Sequence, residues 1–418
     1  MIFTIKTLSE LHLMLCVVIL HHVKCNVLVY KRTGDLKKSL QKIKRFCRGV
    51  LSVNELLIWQ VCLRRKVRAH GDKVVVIQDC HVGDFLISLP FFQRMRDFYG
   101  RKLTLVSDKR IVPLAMASGC FDEVVAVDMK RASSFLHIFC RWKTLWRLRK
   151  LNAKVLLQKY SVGGTSLEDC MAAVIPAVEK IGVESEKTVS NGGCKFYGRL
   201  LKNNFDKLYK YNTKLNLLEN ENAFCNMVCS TNEQECVGDL ECFEPLPEHD
   251  ESLGKYALFI VGADDPRRRW EPWKFAEVAI KYLEKNPENK VLFSGSPAEQ
   301  PIIAEVLEKI PTELKKRTRV REAEKDYLSS IKRLMSDCKH AEWVLTNDTG
   351  PMHIAAKCGT KTLCITGGWH WGVFSPCKEY QSVEFIYKKM DCYNCGSFCK
   401  YNTTPFKCLQ QIQPETVR

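Results

Sequence analysis

Four short stretches place residues capable of chemistry where an apolar run gives way to a helix. In "LTNDTGPMHIAAKCGTKTLCITGGW" (345–369), Asp348, Thr349 and Gly350 form the turn. Pro351 suits the first helical position, and Gly359 suits the stop. The free N–H groups and the positive end of such a helix can cradle an anion. Thr349 could add a hydroxyl donor, and His353 lies in the first turn near the same anion. The alternative is a capped helix in which Asp348 serves only the backbone.

In "DCHVGDFLISLP" (79–90), Gly83 is expected to let the chain turn sharply and approach a ligand, and Asp84 stands at the helix start. A carboxylate there could accept a proton from a hydroxyl, or act as an ordinary helix-start acid. In "GADDPRRRWEPWKF" (262–275), Gly262 precedes Arg267, Arg268 and Arg269, whose forked donors suit a diphosphate or form a solvated basic loop. In "SGSPAEQ" (294–300), Glu299 could accept hydrogen bonds from ribose hydroxyls or complement a helix N-terminus.

Positioning these residues takes alternating strands and helices. "KVVVIQ", "KLTLVSD" and "DEVVAVD" read as strands, with "FLISLPFFQRMRDFYG" as one helix kinked near Pro90. After residue 254 the alternation restarts: "YALFIVG", "KVLFSG", "AEWVLT" and "KTLCIT" are strands, while "EPWKFAEVAIKYLEKN" and "AEQPIIAEVLEKI" are helices. Parallel sheets covered by helices follow from that pattern. Residues 231–254 hold eight acids, no Lys or Arg and two prolines, a composition that suits a linker.

With 418 residues, 46% of them hydrophobic, the chain is globular and long enough for two domains. Its 21 cysteines follow no evenly spaced small-domain framework, so reduced thiols are expected. Of the net charge of +17, residues 1–70 supply eleven, with fourteen Lys or Arg against three acids. The apolar run Leu11–Leu20 is too short for a helix to span a bilayer. Leu36, Leu40, Ile43, Cys47, Val50 and Leu51 fall on one helical face with basic residues between. That helix could lie on an anionic leaflet or pack on the protein's own core.

Taken together, Gly83-Asp84 with Pro90, the basic loop with Trp270 after Gly262, Gly295 with Glu299, and above all "NDTGPMHIAA" resemble the heptosyltransferases of glycosyltransferase family 9. These enzymes add heptose to the lipopolysaccharide core from a nucleotide-activated sugar. The resemblance covers about residues 72–418. It implies an α/β GT-B fold, two Rossmann-like domains facing across a cleft, here behind a basic helical extension. The expected layout is an extension over 1–70, an acceptor domain over 71–240, an acidic linker over 241–254, and a nucleotide-sugar domain with a Cys-rich tail over 255–418.

By the same resemblance, the enzyme is an inverting glycosyltransferase that needs no metal for transfer. Asp84 is its general base and Gly83 lies on the acceptor side. Gly262, Arg268, Glu299, Asp348, Thr349, Gly350 and His353 bind the donor. Arg stands where the family commonly has Lys, and Trp270 is not followed directly by Pro. The donor is a nucleotide sugar of the ADP-heptose kind, and the acceptor is a glycolipid or glycan of the cell envelope. The expected location is cytoplasmic, peripheral at the inner face of the inner membrane, with no nucleic-acid partner. Cys392, Cys395, Cys399 and Cys408 have spacing compatible with a structural four-thiolate zinc site or with reduced thiols in a packed tail. Alternatives are a nucleotide-sugar epimerase on the same fold, or a catalytically silent nucleotide-sugar-binding or membrane scaffold protein.

Overall fold

Runs of Val, Leu and Ile that can be covered on both faces make parallel sheets, and this chain builds two. The computed structural model describes residues 71–100, 103–134, 137–162, 166–184, 204–233, 238, 240–397 and 399–417. The extension 1–70, with its expected Leu36–Leu51 helix, lies outside the described residues.

The first sheet comprises β1 (Lys73–Ile77), β2 (Leu103–Asp108), β3 (Glu123–Val127), β4 (Ala153–Val162), β5 (Ala177–Glu184) and β6 (Lys207–Lys210). Its order is β3-β2-β1-β4-β5-β6, all parallel. The second comprises β7 (Tyr256–Ile260), β8 (Lys290–Ser294), β9 (Thr318–Val320), β10 (Trp343–Asn347), β11 (Thr362–Ile365) and β12 (Val383–Ile386). Its order, β12-β11-β10-β7-β8-β9, is the same doubly wound topology counted from its own first strand. The order reverses between β1 and β4 and between β7 and β10. Ligands of such sheets bind outside the carboxyl ends of the strands at that point.

The expected kinked helix is two helices, Val82–Ile87 and Leu89–Tyr99, separated at Ser88. Pro90 sits in the first turn of the second, where its missing N–H is harmless. Ser88 is held from both sides: it accepts from Gln78 Nε2 at 3.0 Å and donates to Glu221 at 2.7 Å. The acidic stretch around 241–254 is docked on the Tyr327–His340 helix. Phe243 and Leu253 are buried, Lys339 pairs with Glu244 at 2.7 Å, and Arg333 and Ser336 donate to the carbonyls of Glu248 and Pro247.

The two halves meet along several contacts. Leu217 N–H donates to the Val373 carbonyl at 2.9 Å, Asn216 to Glu379 at 2.9 Å, and Lys378 pairs with Glu219. Ile87 and Leu218 share an apolar cluster with Met352 and Tyr380. Among the described residues no helix is long and apolar enough to cross a membrane.

Candidate active site

The chain leaves β1 buried and enters the Val82–Ile87 helix within a few residues, which carries Asp84 to the carboxyl edge of the first sheet. Its Oδ2 accepts the His81 N–H at 3.2 Å, closing the helix entry. Burial raises the Asp84 pKa above its ordinary value; the His81 N–H and the charges of His81, Lys159 and Arg268 oppose this. A half-shielded carboxylate of that kind is a stronger proton acceptor than a free one.

Beneath it is a buried ion pair that sequence reasoning missed. Lys159, on β4, lies 3.0 Å from Glu221 and within 4.2 and 4.7 Å of the ring centres of Phe91 and Phe92. Desolvation lowers the Lys159 pKa, and Glu221 counteracts it. A lysine and a glutamine closing the apolar run of "VLLQKY" were the available signal.

In the second half, Asn347 fastens the loop after β7 to the end of β10. It accepts from Trp270 N–H at 3.0 Å and donates to the carbonyls of Val261 and Gly262. Trp270 is fully buried and its indole N–H donates to the Ile412 carbonyl, so it anchors the loop from inside. The three arginines then separate. Arg267 is paired with Asp265 at 2.6 Å and lies over Phe406. Arg269 donates its Nε to the Ala263 carbonyl at 2.7 Å. Arg268 lies over Trp369, and its buried Nε has no hydrogen-bond partner. A donor left in that state invites an acceptor from outside the protein.

Gly262 is required by close approach: a Cβ there would lie 1.8 Å from Glu299 Oε1. Glu299 Oε2 accepts from the backbone N–H and the hydroxyl of Ser296, at 2.7 and 2.8 Å, while Oε1 lies over Gly262. One carboxylate oxygen therefore holds the loop.

At the end of β10, Asp348 accepts from the Thr366 hydroxyl at 2.7 Å and the Ser375 hydroxyl at 3.0 Å, one on each oxygen. Burial raises its pKa, opposed by those two bonds and by Arg268. Thr349 is the extended N-cap of the Gly350–Lys357 helix, donates to the Asn347 carbonyl at 3.3 Å, and no side chain caps the helix. Pro351 occupies the second helical position rather than the first, and Gly359 follows the C-cap at φ +72° as expected.

His353 is buried, with Nδ1 3.1 Å from the Tyr380 hydroxyl. Desolvation, then Lys357, lowers its pKa to about 3. The imidazole is therefore neutral at physiological pH, and any hydrogen bond it donates is that of a neutral N–H, without a positive charge.

These elements converge where the two halves touch. A Cβ at Gly83 would lie 3.1 Å from Gly350 Cα and 3.1 Å from His353 Cδ2. Gly83 carries no positive φ, so the sharp turn expected of it is absent, and its role is to let the second half's helix approach. Asp84, Arg268 and Asp348 follow β1, β7 and β10, three of the four strands flanking the two switch points.

The cysteine tail is different. Among the described residues no three His, Cys, Asp or Glu side chains converge as metal ligands, and Cys392, Cys395, Cys399 and Cys408 are free. The thiolate set expected for a structural zinc is thus not assembled. Cys408 lies instead in the apolar cluster of the second half, with Cys395 and Cys399 packed against it.

Comparison with known proteins agrees with the fold. Residues 220–396 match the sequence model of glycosyltransferase family 9 (heptosyltransferase). Lipooligosaccharide heptosyltransferase 2 of Campylobacter jejuni is 25% identical over 153 residues, 36% of this chain and 44% of that protein, so the chain spans less than half the length of this relative. The crystal structure of a family 9 glycosyltransferase from Veillonella parvula superposes with a TM-score of 0.62 at 17% identity, covering 82% of this chain and 94% of the other. E. coli ADP-heptose lipopolysaccharide heptosyltransferase II gives 0.56 at 17% identity (82% and 96%). E. coli heptosyltransferase WaaC with ADP-2-deoxy-2-fluoro heptose gives 0.58 at 15% identity (82% and 97%). The GT-B fold and the resemblance to family 9 both stand.

Proposed function

We propose that this chain, a relative of glycosyltransferase family 9, is an inverting glycosyltransferase that moves a heptose-like sugar from an ADP-heptose-like donor to a hydroxyl of a lipopolysaccharide core or another cell-envelope glycan. The observation that carries the reading is the position of Arg268, whose charge acts on both Asp84 and Asp348 while its buried Nε has no partner. Base, phosphate-facing cation and donor turn then serve one crevice. In this reading residues 71–240 hold the acceptor and 255–418 the donor, at the cytoplasmic face of the membrane.

Asp84 takes the acceptor proton as that oxygen attacks the anomeric carbon from the face opposite the diphosphate. The bond to the diphosphate oxygen breaks, its electron pair leaves with the nucleotide, and the anomeric configuration inverts. Arg268 and the N-terminus of the Gly350–Lys357 helix stabilise the charge that grows on the leaving group. Gly350 offers its backbone, and Thr349 and neutral His353 offer neutral donors. Asp348 keeps the turn in place through Thr366 and Ser375. Glu299 Oε1, over Gly262, is available to a ribose hydroxyl. Closure of the two halves excludes water, so that transfer outcompetes hydrolysis.

The test is incubation with ADP-heptose and a lipopolysaccharide acceptor lacking heptose, with mass spectrometry of the glycolipid and NMR of the new linkage. An inverted heptosyl product supports the proposal. Epimerised sugar nucleotide formed without acceptor would overturn it, and strict dependence on added magnesium would overturn its metal-independent step.

A further inference from the structure

A buried cation stands close under the candidate base. β4 runs parallel to β1 with Gln158 opposite Ile77, so Lys159 lies one residue beyond the end of β1, level with the segment that leads to Asp84. Its side chain is 3% exposed, and that of its partner Glu221, on the Leu217–Cys229 helix, is 12% exposed. Taking two charges out of water is costly, and the attraction between them offsets the cost only when their remaining polar atoms are also satisfied. Here the buried Glu221 Oε2 makes no hydrogen bond, and Phe91 and Phe92 close over the ammonium where an apolar side chain would pack as well. Adhesion alone is a poor account of this pair.

Contacts tie the pair to Asp84. Ser88 N–H donates to the Asp84 carbonyl at 3.0 Å, while the Ser88 hydroxyl donates to Glu221 Oε1, the oxygen that faces Lys159. Phe92, under the ammonium, also meets Phe85, the residue after Asp84, with ring centres 5.3 Å apart. Lys159 favours the ionised form of Asp84, and a field in such surroundings is screened far less than in water. The other charges near Asp84 are of a different kind. His81 is exposed, Arg268 reaches across from the second half, and Asp79 and Cys80 lie in the carboxylate's own field. His353, across Gly83, is neutral. A bound diphosphate would engage Arg268 and offset its charge, which leaves Lys159 as the buried cation acting on the base.

We infer that Lys159 is a positioning residue for Asp84: its ammonium, partnered by Glu221 beneath the Val82–Ile87 helix, keeps the carboxylate ionised and so able to accept a proton. The inference rests on the reading of Asp84 as the base. Glu221 holds the charge on Lys159 against desolvation. Cys80 and Cys225, the other titratable groups facing it, are thiols that burial pushes up, so they stay neutral.

The test follows aspartate labelled with 13C at the side-chain carboxyl by NMR against pH, with the Asp84 signal identified by its loss in Asp84→Asn. Lys159→Met leaves Glu221 uncompensated. Lys159→Met combined with Glu221→Gln removes both charges, and this double variant should keep the wild-type melting temperature. In both proteins Asp84 should take up its proton at higher pH than in wild type. At a pH on the acid limb, transfer should fall about tenfold, the effect of losing one nearby opposite charge, while the plateau rate and the donor KM change little. A folded double variant in which Asp84 titrates as in wild type, or at lower pH, overturns the inference. Should neither variant fold, reciprocity decides, because a coupling between two charges acts equally on both. In Asp84→Asn the Lys159 ammonium, followed by 15N NMR, must release its proton at lower pH than in wild type, and an unchanged midpoint overturns the inference. The titrations need no substrate, so a wild type without transferase activity would defeat the reading of Asp84 as base and leave the measured coupling standing.

Discussion

Replacing Asp84 by Asn separates a catalytic base from a structural acid, because the two roles respond in opposite directions. The wild-type Oδ2 accepts one hydrogen bond, from His81 N–H at 3.2 Å, and an Asn side-chain oxygen can accept the same bond, so the helix entry is kept. What is lost is the charge. Burial outweighs the attraction of His81, Lys159 and Arg268 and raises the Asp84 pKa, which means the ionised form is less favourable in the native protein than in the unfolded chain. The native protein therefore binds this proton to higher pH, and its relative stability is lost as pH rises through the native pKa. Asn removes that loss, so the melting temperature at neutral pH should hold or rise. The transfer rate should fall by about 100- to 10,000-fold, the usual contribution of a general base, or about 2.7–5.4 kcal/mol of barrier. The acid limb of the wild-type pH–rate profile, where the carboxylate takes up its proton, should vanish with it. Single-turnover transfer, donor affinity and melting temperature on the same preparations decide the matter. Near-native transfer by the Asn variant, or a rate loss that merely tracks a fall in melting temperature, would refute the assignment.

Arg268→Ala should weaken donor binding by roughly 1.5–3 kcal/mol, the value of a charged hydrogen bond, whereas Arg267→Ala, already paired with Asp265, should change it little; calorimetric titration with the sugar nucleotide would expose equal effects. Because His353 has a pKa of about 3 in the native protein and 6.5 ordinarily, the unfolded chain binds a proton between those values that the native site refuses. Stability should therefore fall on acidification below about pH 6.5, by up to about 1.4 kcal/mol per pH unit from this group, and His353→Gln should flatten that decline in urea titrations at pH 7 and pH 5. Gly83→Ala would push a methyl to 3.1 Å from Gly350 Cα, and should cost about 1–3 kcal/mol of stability as overpacking does; an unchanged urea midpoint would show that the halves are not held as described.

What could be read from the chain was local. The strands β1, β2, β3, β7, β8, β10 and β11 announce themselves as short apolar runs, and each candidate site residue lies within a few positions of a strand end, where a turn signal is present in the sequence itself. The doubly wound fold and the turn of Asp348, Thr349 and Gly350 at the end of β10 were legible for that reason. β5 and β6 were not, since "AVEKIGVE" and "KLYK" mix charge into strands whose exposure depends on neighbours outside the segment. The single helix expected across Ser88 failed similarly, because Gln78 and Glu221 hold that residue from other parts of the chain. The resemblance pointed to Arg268, but the physical difference from Arg267 and Arg269 is in the packed structure alone, through the acceptors already taken by its neighbours. It alone turns His353 neutral and places Gly83 against Gly350. A turn is specified by residues adjacent in the chain, whereas desolvation, a filled acceptor and a missing Cβ's clearance are specified by whichever distant residue folds against the site.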